Sequence, residues 1–242
     1  MYIYGKNVCK ETLIWKDKVV KAYVSKKFKD REILDLLFKN KVRVNFVDNK
    51  ILDNKVSGLH QGIVMEIDNI KTYDINELLE VVSKKNNPLV VILDHIEDPH
   101  NFGAIIRTSE ALGIDGIIIP QDRAVGITDV VVKTSTGAIN YVKISRVSNL
   151  QVAIKKLKDN KFWIIGTDMD GDNYTKLDYK MPIAIVIGNE GHGMSNVVKK
   201  ECDFIASIPM VGKINIRAGA GDRGNRKKHP SGSRTQSTAL RR

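Results

Sequence analysis

Short apolar segments alternate with amphipathic ones along most of the chain, and this pattern predicts an α/β protein. In the N-terminal part, apolar runs rich in β-branched residues indicate strands, and one amphipathic segment behind an N-cap residue indicates a helix. The predicted strands are Lys18–Ser25, Val42–Val47 and Gly62–Asp68, and the predicted helix is Asp30–Lys39. We therefore expect residues 1–70 to form a small α/β domain.

A polar segment separates this part from the rest of the chain. Residues 71–87 include one stretch of helical character, Asp74–Lys84, and end in Lys-Lys-Asn-Asn directly before Pro88, a composition typical of linkers. We expect a linker here, with a second domain over residues 88–213.

Five short apolar runs follow the linker, with helical patterns between them. Such runs are typical of strands covered on both faces, as in the parallel sheet of a doubly wound fold. The predicted strands are Leu89–Leu93, Gly116–Ile119, Tyr141–Ile144, Phe162–Ile165 and Ile183–Ile187, and the predicted helices are Asn101–Leu112 and Asn149–Lys158. Ligands bind at the carboxyl ends of strands in such folds, so the loops there are the first candidates for a site.

Charge and composition narrow the class of protein. The net charge is +11, but the residues from Arg217 onward carry +7 of it, so the rest is only mildly basic, which fits an RNA partner without requiring one. Two cysteines cannot build a disulfide framework or a cysteine zinc site, which favours the reducing cytoplasm. We expect no membrane span, no secretory signal and, from the scattered histidines, no metal site.

The loop after the first of these strands carries polar groups at the start of a predicted helix. Residues 94–108 read DHIEDPHNFGAIIRT, with Asn101 and Gly103 early in the helix and Arg107 six residues beyond Asn101. Asn101 can donate and accept hydrogen bonds, and Gly103 permits close approach of another backbone. From the residues alone, an ordinary βα turn with a solvated arginine remains an alternative.

The loop after the last strand is rich in glycine. Residues 188–194 read GNEGHGM, in which three glycines surround Glu190 and give backbone access to a flat ligand. The spacing does not match the dinucleotide fingerprint, so a nicotinamide cofactor is not expected, and a plain turn remains open. Residues 205–212, IASIPMVG, predict a further strand that ends in a turn.

Together, D-x-x-x-D-P-x-N-x-G-x-x-x-R-T, G-N-E-G-x-G-M and S-I-P-M-x-G resemble the SpoU/TrmH family of RNA ribose 2′-O-methyltransferases. The resemblance covers residues 88–213 and implies a knotted, SPOUT-type parallel-sheet domain, an exception to the rule against threaded loops. Ile3-Tyr4-Gly5 and His60-Gln61-Gly62 are similar to segments that begin and end the small RNA-binding domain of members that methylate 23S rRNA. The resemblance therefore implies structured RNA as substrate, rRNA ahead of tRNA, and a homodimer.

The resemblance also implies a cofactor and site residues. S-adenosylmethionine would be held by backbone groups and apolar side chains, without a metal. Arg107 matches the catalytic arginine of the family, and Asn101 and Glu190 would fix Arg107 and the acceptor nucleotide. Because arginine stays protonated, we expect Arg107 to grip a phosphate and favour ionisation of the hydroxyl rather than act as a base. The implied cofactor-binding residues are Thr167, Gly188, Asn189, Gly191, Ile208 and Met210.

The chain departs from the family pattern after residue 213. Members continue with a Ser-Leu-Asn-Val-Ser segment and a closing helix, whereas this chain reads Ile-Asn-Ile-Arg-Ala-Gly, so no residue of that third motif carries over. Residues 214–242 predict a disordered tail, either an RNA-binding one or the product of a frameshift or truncation. Two other functions stay open, a non-catalytic RNA-binding protein and a nucleotide-binding α/β enzyme of another class.

Overall fold

The described residues form two β-sheets, each covered by helices. The computed structural model describes residues 1–15, 19–68 and 70–209. In these residues the strands are β1 Tyr2–Tyr4, β2 Val19–Ser25, β3 Val44–Val47, β4 Ile63–Ile67, β5 Leu89–Asp94, β6 Gly116–Pro120, β7 Ile144–Val147, β8 Trp163–Asn173, β9 Ile183–Gly188 and β10 Phe204–Ser207. The helices are α1 Lys6–Trp15, α2 Arg31–Lys39, α3 Asn49–Asp53, α4 Ile75–Val82, α5 Pro99–Ala111, α6 Asp129–Thr134, α7 Leu150–Asp159 and α8 Asn196–Glu201, with 3₁₀ turns at Ala138–Asn140 and Tyr174–Lys176. No helix of this described part is long and apolar enough to span a membrane.

The first sheet is the predicted small α/β unit, with the strand order β1-β4-β2-β3. β4 runs antiparallel to both β1 and β2, whereas β2 and β3 are parallel. One face of this sheet packs with α1 and α2, which bury Leu13 and Leu37. The helix α2 begins close to its predicted start because the carboxylate of Asp30 accepts the backbone N–H of Ile33.

The second sheet is parallel throughout, as predicted, with the strand order β10-β8-β9-β5-β6-β7. Alternate residues of β5 enter different cores, since Val91 and Leu93 pack on one face and Val90 and Ile92 on the other. The chain moves outward from β5 to β7 and then returns to β8 and β9 on the opposite side. The order therefore reverses between β5 and β9, which is where ligands bind in open α/β sheets.

The predicted strand at Tyr141–Ile144 is placed too early. A 3₁₀ turn precedes Tyr141, and the strand runs over Ile144–Val147, where Ile144 pairs with Ile117 of β6. The cause is a contact with α1, because the ring of Tyr141 packs edge-on against Trp15 and its hydroxyl donates to Glu11. The apolar character of Tyr141 serves that contact and not the sheet.

The polar segment expected to be a linker carries a packed helix. α4 confirms the helical stretch and begins with a capping box between Asp74 and Glu77. Its Leu78 is fully buried, and a Cβ on Gly116 of β6 would lie only 2.7 Å from the Leu78 side chain. This part of residues 71–87 is therefore packed against the second sheet and is not a free connector, while the domain limits at residues 70 and 88 stay predictions.

The two sheets share one hydrophobic core. Ile3 and Val8 from the first unit belong to the same buried cluster as Val131 and Ile139 from the second. The small unit is thus held in a fixed orientation on the larger one. The knot stays a prediction, and residues 214–242 and Met210 lie outside the described part of the chain.

Candidate active site

The loops after β5 and β9 meet through one side-chain hydrogen bond. Nδ2 of Asn101, in the first turn of α5, donates to Oε1 of Glu190, in the glycine-rich loop, at 2.9 Å. These two residues are 89 positions apart in the chain, so only the neighbouring positions of β5 and β9 bring them together. The structure therefore joins two of the three predicted catalytic residues, whose catalytic roles stay predictions.

The start of α5 is fixed by its cap and by a close helix contact. The carboxylate of Asp98 accepts the backbone N–H groups of His100 and Asn101, and Pro99 occupies the first helical turn. Gly103 lets α6 approach, since a Cβ there would lie 2.6 Å from Cβ of Thr134. Asn101 is consequently held on a helix that cannot shift without disturbing α6.

Arg107 does not share the contact between Asn101 and Glu190. It lies six residues beyond Asn101 on α5, about 9 Å further along the helix axis. Its side chain is exposed and forms no ion pair with a carboxylate in the described residues. The guanidinium is therefore accessible to an external anion.

Asn189 shapes the glycine-rich loop. Its Oδ1 accepts the backbone N–H of Gly191 at 2.7 Å, and its Nδ2 donates to the carbonyl of His95 at 2.8 Å. Its backbone also exchanges two hydrogen bonds of 2.9 Å with Gly193. The resemblance implies that Asn189 binds the cofactor, but the structure uses its side chain, its backbone N–H and its carbonyl to shape the loop, and its cofactor-binding role stays a prediction.

Gly188 lies where the loop folds back over the end of β9. A Cβ at this position would lie 2.2 Å from the backbone carbon of Gly193 and equally close to the nitrogen of Met194. Backbone atoms cannot yield as a flexible side chain does, so only glycine fits. The shape of the loop thus requires a glycine at position 188, while the predicted cofactor-binding role of Gly188 stays a prediction.

Asp94 is a buried carboxylate to which the sequence analysis gives no role. It ends β5 and is 1% exposed, and its Oδ2 accepts the backbone N–H of Ser195, the N-cap of α8, at 2.7 Å. Its Oδ1 contacts the ring of His95, whose backbone has a left-handed φ of 63°. The sequence shows a carboxylate directly after a predicted buried strand. It does not show the hydrogen-bond partner of that carboxylate, which lies 101 positions away.

The part of β8 where its pairing with β9 ends, together with the end of β10, completes the candidate cofactor region. Gly166 makes the last pair between β8 and β9, and Thr167 then donates its hydroxyl to the carbonyl of Val186 at 2.9 Å. Gly166 packs closely against two side chains, since a Cβ would lie 2.7 Å from Cε of Met194 and 2.8 Å from Sγ of Cys202, and these would have to shift. Pairing of β8 with β10 is irregular here and resumes at Asp172, so the intervening segment leaves the regular ladder.

Ile208, directly after β10, presents an apolar side chain to solvent, with an exposed fraction of 71%. Thr167 and Gly191 are also exposed. Gly191 and Ile208 follow the ends of β9 and β10, and Thr167 lies within β8, directly after its pairing with β9 ends. All three are accessible, whereas Met210 lies beyond the described residues.

One ion pair lies beside this region. Nζ of Lys199, on α8, donates to Oδ2 of Asp168 at 2.6 Å. This hydrogen bond lowers the pKa of Asp168 and raises that of Lys199.

Burial raises the pKa of Cys202 to about 11, so its thiol is protonated at neutral pH and is no nucleophile. No cluster of three or more potential metal-ligating side chains occurs in the described part of the chain.

Comparison with known proteins identifies the family. The SpoU rRNA Methylase family matches residues 88–216, and a family described as RNA 2′-O ribose methyltransferase substrate binding matches residues 2–73. The TrmH family tRNA/rRNA methyltransferase YacO of Bacillus subtilis is 39% identical over 218 residues, 88% of each chain. A protein described as a TrmH family tRNA/rRNA methyltransferase in Staphylococcus aureus (strain COL) is 41% identical over 219 residues, again 88% of each.

Solved structures show the same fold. The SpoU methyltransferase AviRb from Streptomyces viridochromogenes matches with a TM-score of 0.78 and 24% identity, over 90% of this chain and 84% of that one. The AdoMet-bound rRNA methyltransferase from Sinorhizobium meliloti matches with a TM-score of 0.75 and 21% identity, over 89% and 80%. The fold, the paired motifs and the relatives agree, and the chain belongs to the SpoU/TrmH family of RNA methyltransferases.

Proposed function

We propose that this protein transfers the methyl group of S-adenosylmethionine to a ribose 2′-hydroxyl of structured RNA, with 23S rRNA as its substrate, in the cytoplasm. The observation that carries the proposal is the hydrogen bond between Asn101 and Glu190 at the point where the strand order reverses. The family match over residues 2–73, whose description names RNA ribose methyltransferases, supports the acceptor. tRNA is the second candidate, because the relatives are named for both RNAs.

The residues at the strand ends fit S-adenosylmethionine. A flat adenine needs apolar surfaces and backbone hydrogen-bonding groups more than charged side chains, and the exposed Ile208 offers an apolar surface. Thr167, Gly188, Asn189, Gly191 and Ile208 are the described residues of the predicted cofactor-binding set, which Met210 completes. When bound, S-adenosylmethionine supplies an electrophilic methyl group on a sulfonium.

The remaining chemistry is to hold and polarise a ribose hydroxyl. A hydroxyl is a weak nucleophile until its proton is removed or its developing charge is stabilised. Arg107 is exposed and positively charged, so it grips the neighbouring phosphate and stabilises charge on the oxygen. Asn101 fixes the carboxylate of Glu190, which orients the acceptor nucleotide.

The protein acts as a homodimer, as the family resemblance implies, and analytical ultracentrifugation of the full chain tests this.

Transfer of a radiolabelled methyl group from S-adenosylmethionine to separated rRNA and tRNA tests the function. The expected result is incorporation into rRNA, in a product that resists alkaline cleavage at the modified nucleotide because its 2′-oxygen is blocked. Arg107→Ala should lower kcat by about 10²-fold or more, the size typical of a lost electrostatic stabiliser. Arg31→Ala, an exposed helical arginine of the first unit, is the matched control and should keep the rate.

Each other outcome contradicts a defined part of the proposal. Equal incorporation by the wild type and Arg107→Ala removes Arg107 from the mechanism. A labelled product that remains alkali-sensitive excludes ribose as acceptor, and labelling of tRNA alone replaces the substrate. RNA binding without any incorporation shows an RNA-binding protein instead of an enzyme.

A further inference from the structure

We propose that three lysines, each held against a tyrosine ring on the outer face of the first sheet, bind the phosphate backbone of the RNA and lead it toward α5. This inference rests on the proposed function, because it names the surface that holds the substrate. We call it the tyrosine–lysine surface, and its residues are Tyr2, Tyr4, Tyr23, Lys21, Lys55 and Lys133.

The tyrosines share one face of the sheet because of strand alternation. Tyr2 and Tyr4 are two positions apart on β1, and Tyr23 of β2 is paired with the same residue of β4, Val64, as Tyr4 is. The opposite face of this sheet packs with α1 and α2. The face with the tyrosines packs around Leu52 of α3, and Tyr2 and Tyr23 remain partly exposed, with ring centroids 6.4 Å apart.

Two lysines are positioned by these rings. Nζ of Lys55 lies 4.0 Å from the ring centroid of Tyr23 and 4.9 Å from that of Tyr2. Nζ of Lys21 lies 4.9 Å from the centroid of Tyr23. A cation over an aromatic face is held in place without losing its charge, so less side-chain entropy is lost when it binds an anion.

These lysines keep their charge available. Lys21, Lys55 and Lys133 form no ion pair within 4.0 Å with a carboxylate of the described residues, and Glu66, opposite Lys21 in the strand register, is in none either. Three further lysines of the small unit are instead neutralised by carboxylate partners. These are Lys6 with Asp30, Lys10 with Glu32 and Lys26 with Asp48, at 3.1, 2.7 and 3.1 Å.

Lys133 extends the surface to the helix that carries Asn101. It belongs to α6 of the larger unit, yet its Nζ lies 4.2 Å from the ring centroid of Tyr4 in the small one. The next residue, Thr134, contacts α5 through its hydroxyl, 3.4 Å from Nδ1 of His100. An RNA strand that follows the three ammonium groups therefore passes from the small sheet to the first turn of α5.

The chemistry of this surface favours RNA over other anions. Fixed ammonium groups without carboxylate partners bind phosphodiesters, and the partly exposed rings beside them can stack unpaired bases. An acidic protein surface would engage the lysines but would gain nothing from stacking. The three tyrosines, Lys21 and Lys55 lie in the part of the chain that matches the substrate-binding family, whereas Lys133 lies in the part that matches the methylase family.

Filter binding of labelled 23S rRNA to the full chain at several salt concentrations tests the proposal. The variant is Lys21→Gln, Lys55→Gln and Lys133→Gln combined, and the matched control is Lys6→Gln, Lys10→Gln and Lys26→Gln combined, which removes the same charge. We expect the negative slope of log affinity against log salt to become shallower by roughly 2 to 3 in the variant only, since each phosphate contact contributes about 0.7 to 0.9 to its magnitude. The KM for RNA should rise roughly tenfold in the same variant, with the Kd for S-adenosylmethionine unchanged.

Combined replacement by arginine keeps the charges and the ring contacts and should restore binding, which separates charge from a folding defect. Equal losses in variant and control, or unchanged RNA binding in the variant, overturn the proposal, and the second result leaves an acidic protein as the partner. Because filter binding does not depend on turnover, a chain that binds through these lysines but transfers no methyl group refutes only the proposed function. A chain that methylates RNA with the lysines removed and its KM unchanged refutes only this surface.

Discussion

At the scale of single residues, the candidate site depends on two closely packed glycines. Gly188 and Gly166 end the paired parts of adjacent strands, and at each a Cβ would meet another atom below 3 Å. Met194 lies beside both of them, on the buried side of the glycine-rich loop. The loop is thus shaped by backbone packing as much as by its hydrogen bonds.

Gly188→Ala should therefore damage the loop. Its Cβ would lie against backbone atoms of Gly193 and Met194, so we expect a loss of about 3 kcal/mol in the free energy of unfolding, the upper end for an overpacked site. The affinity for S-adenosylmethionine should fall in parallel. Urea denaturation and isothermal titration calorimetry measure the two effects.

The control for this change is Gly126→Ala, where no atom lies within 4 Å of the added Cβ, and it should change neither quantity. A Gly188→Ala protein with wild-type stability and affinity would show that the loop is not packed as described.

At the scale of elements, the sequence predicted the strands better than the contacts between them. Apolar runs located β5, β6 and β9 within one or two residues, because strands buried on both faces leave a simple pattern. β7 was misplaced because Tyr141 is apolar for a contact with the small unit. The helices α1, α3, α6 and α8 were not predicted, and the last three have only five or six residues, too few for a clear period.

For the candidate site, too, local motifs predicted the residues involved but not most of their long-range contacts. Motif resemblance brought Asn101 and Glu190 together in the prediction, and the hydrogen bond between them is present. Nothing local could reveal that Asp94 binds the N–H of Ser195, or that the side chain of Asn189 binds His95 and is used within the loop. These contacts depend on the order of strands in the sheet, which hydrophobic periodicity does not encode.

The ion pair that joins β8 to α8 should give a pH-dependent contribution to stability. The folded pKa of Asp168 is lowered, chiefly by its hydrogen bond with Lys199, so its contribution is present above the unfolded value of about 3.9 and is lost as the pH falls through the folded value. The pKa of Lys199 is raised, so its contribution is present below about 10.4 and is lost as the pH rises through the folded value.

A double-mutant cycle with Asp168→Asn and Lys199→Gln measures this coupling by urea denaturation. The coupling should be favourable but small at pH 7, because both side chains are partly exposed, and it should decline toward both extremes of pH. A coupling that is constant from acid to alkaline pH would contradict the assignment.

At the scale of the whole molecule, the shared core predicts that both sheets unfold together. The two tryptophans report on them separately, since Trp15 ends α1 of the small unit and Trp163 begins β8 of the large one. Fluorescence of Trp163→Phe and of Trp15→Phe should therefore give the same urea midpoint, because neither unit keeps a complete core alone.

The matched experiment is unfolding of the wild type followed by circular dichroism, which should show one transition at that midpoint. Two separated midpoints in the single-tryptophan proteins would mean that the small sheet is an independent folding unit.

The contacts around the 3₁₀ turn Ala138–Asn140 also govern how recognition parts can be exchanged between relatives. The hydroxyl of Tyr141 donates to Glu11, and a Cβ on Gly137 would lie 2.6 Å from the Glu11 side chain, so the surface of α1 and this turn are shaped to each other. In a chimera that joins the first 70 residues of a relative to this catalytic part, the surfaces of α1 and the turn would therefore not be complementary. Grafts with a new RNA preference need to carry the donor's version of this turn as well.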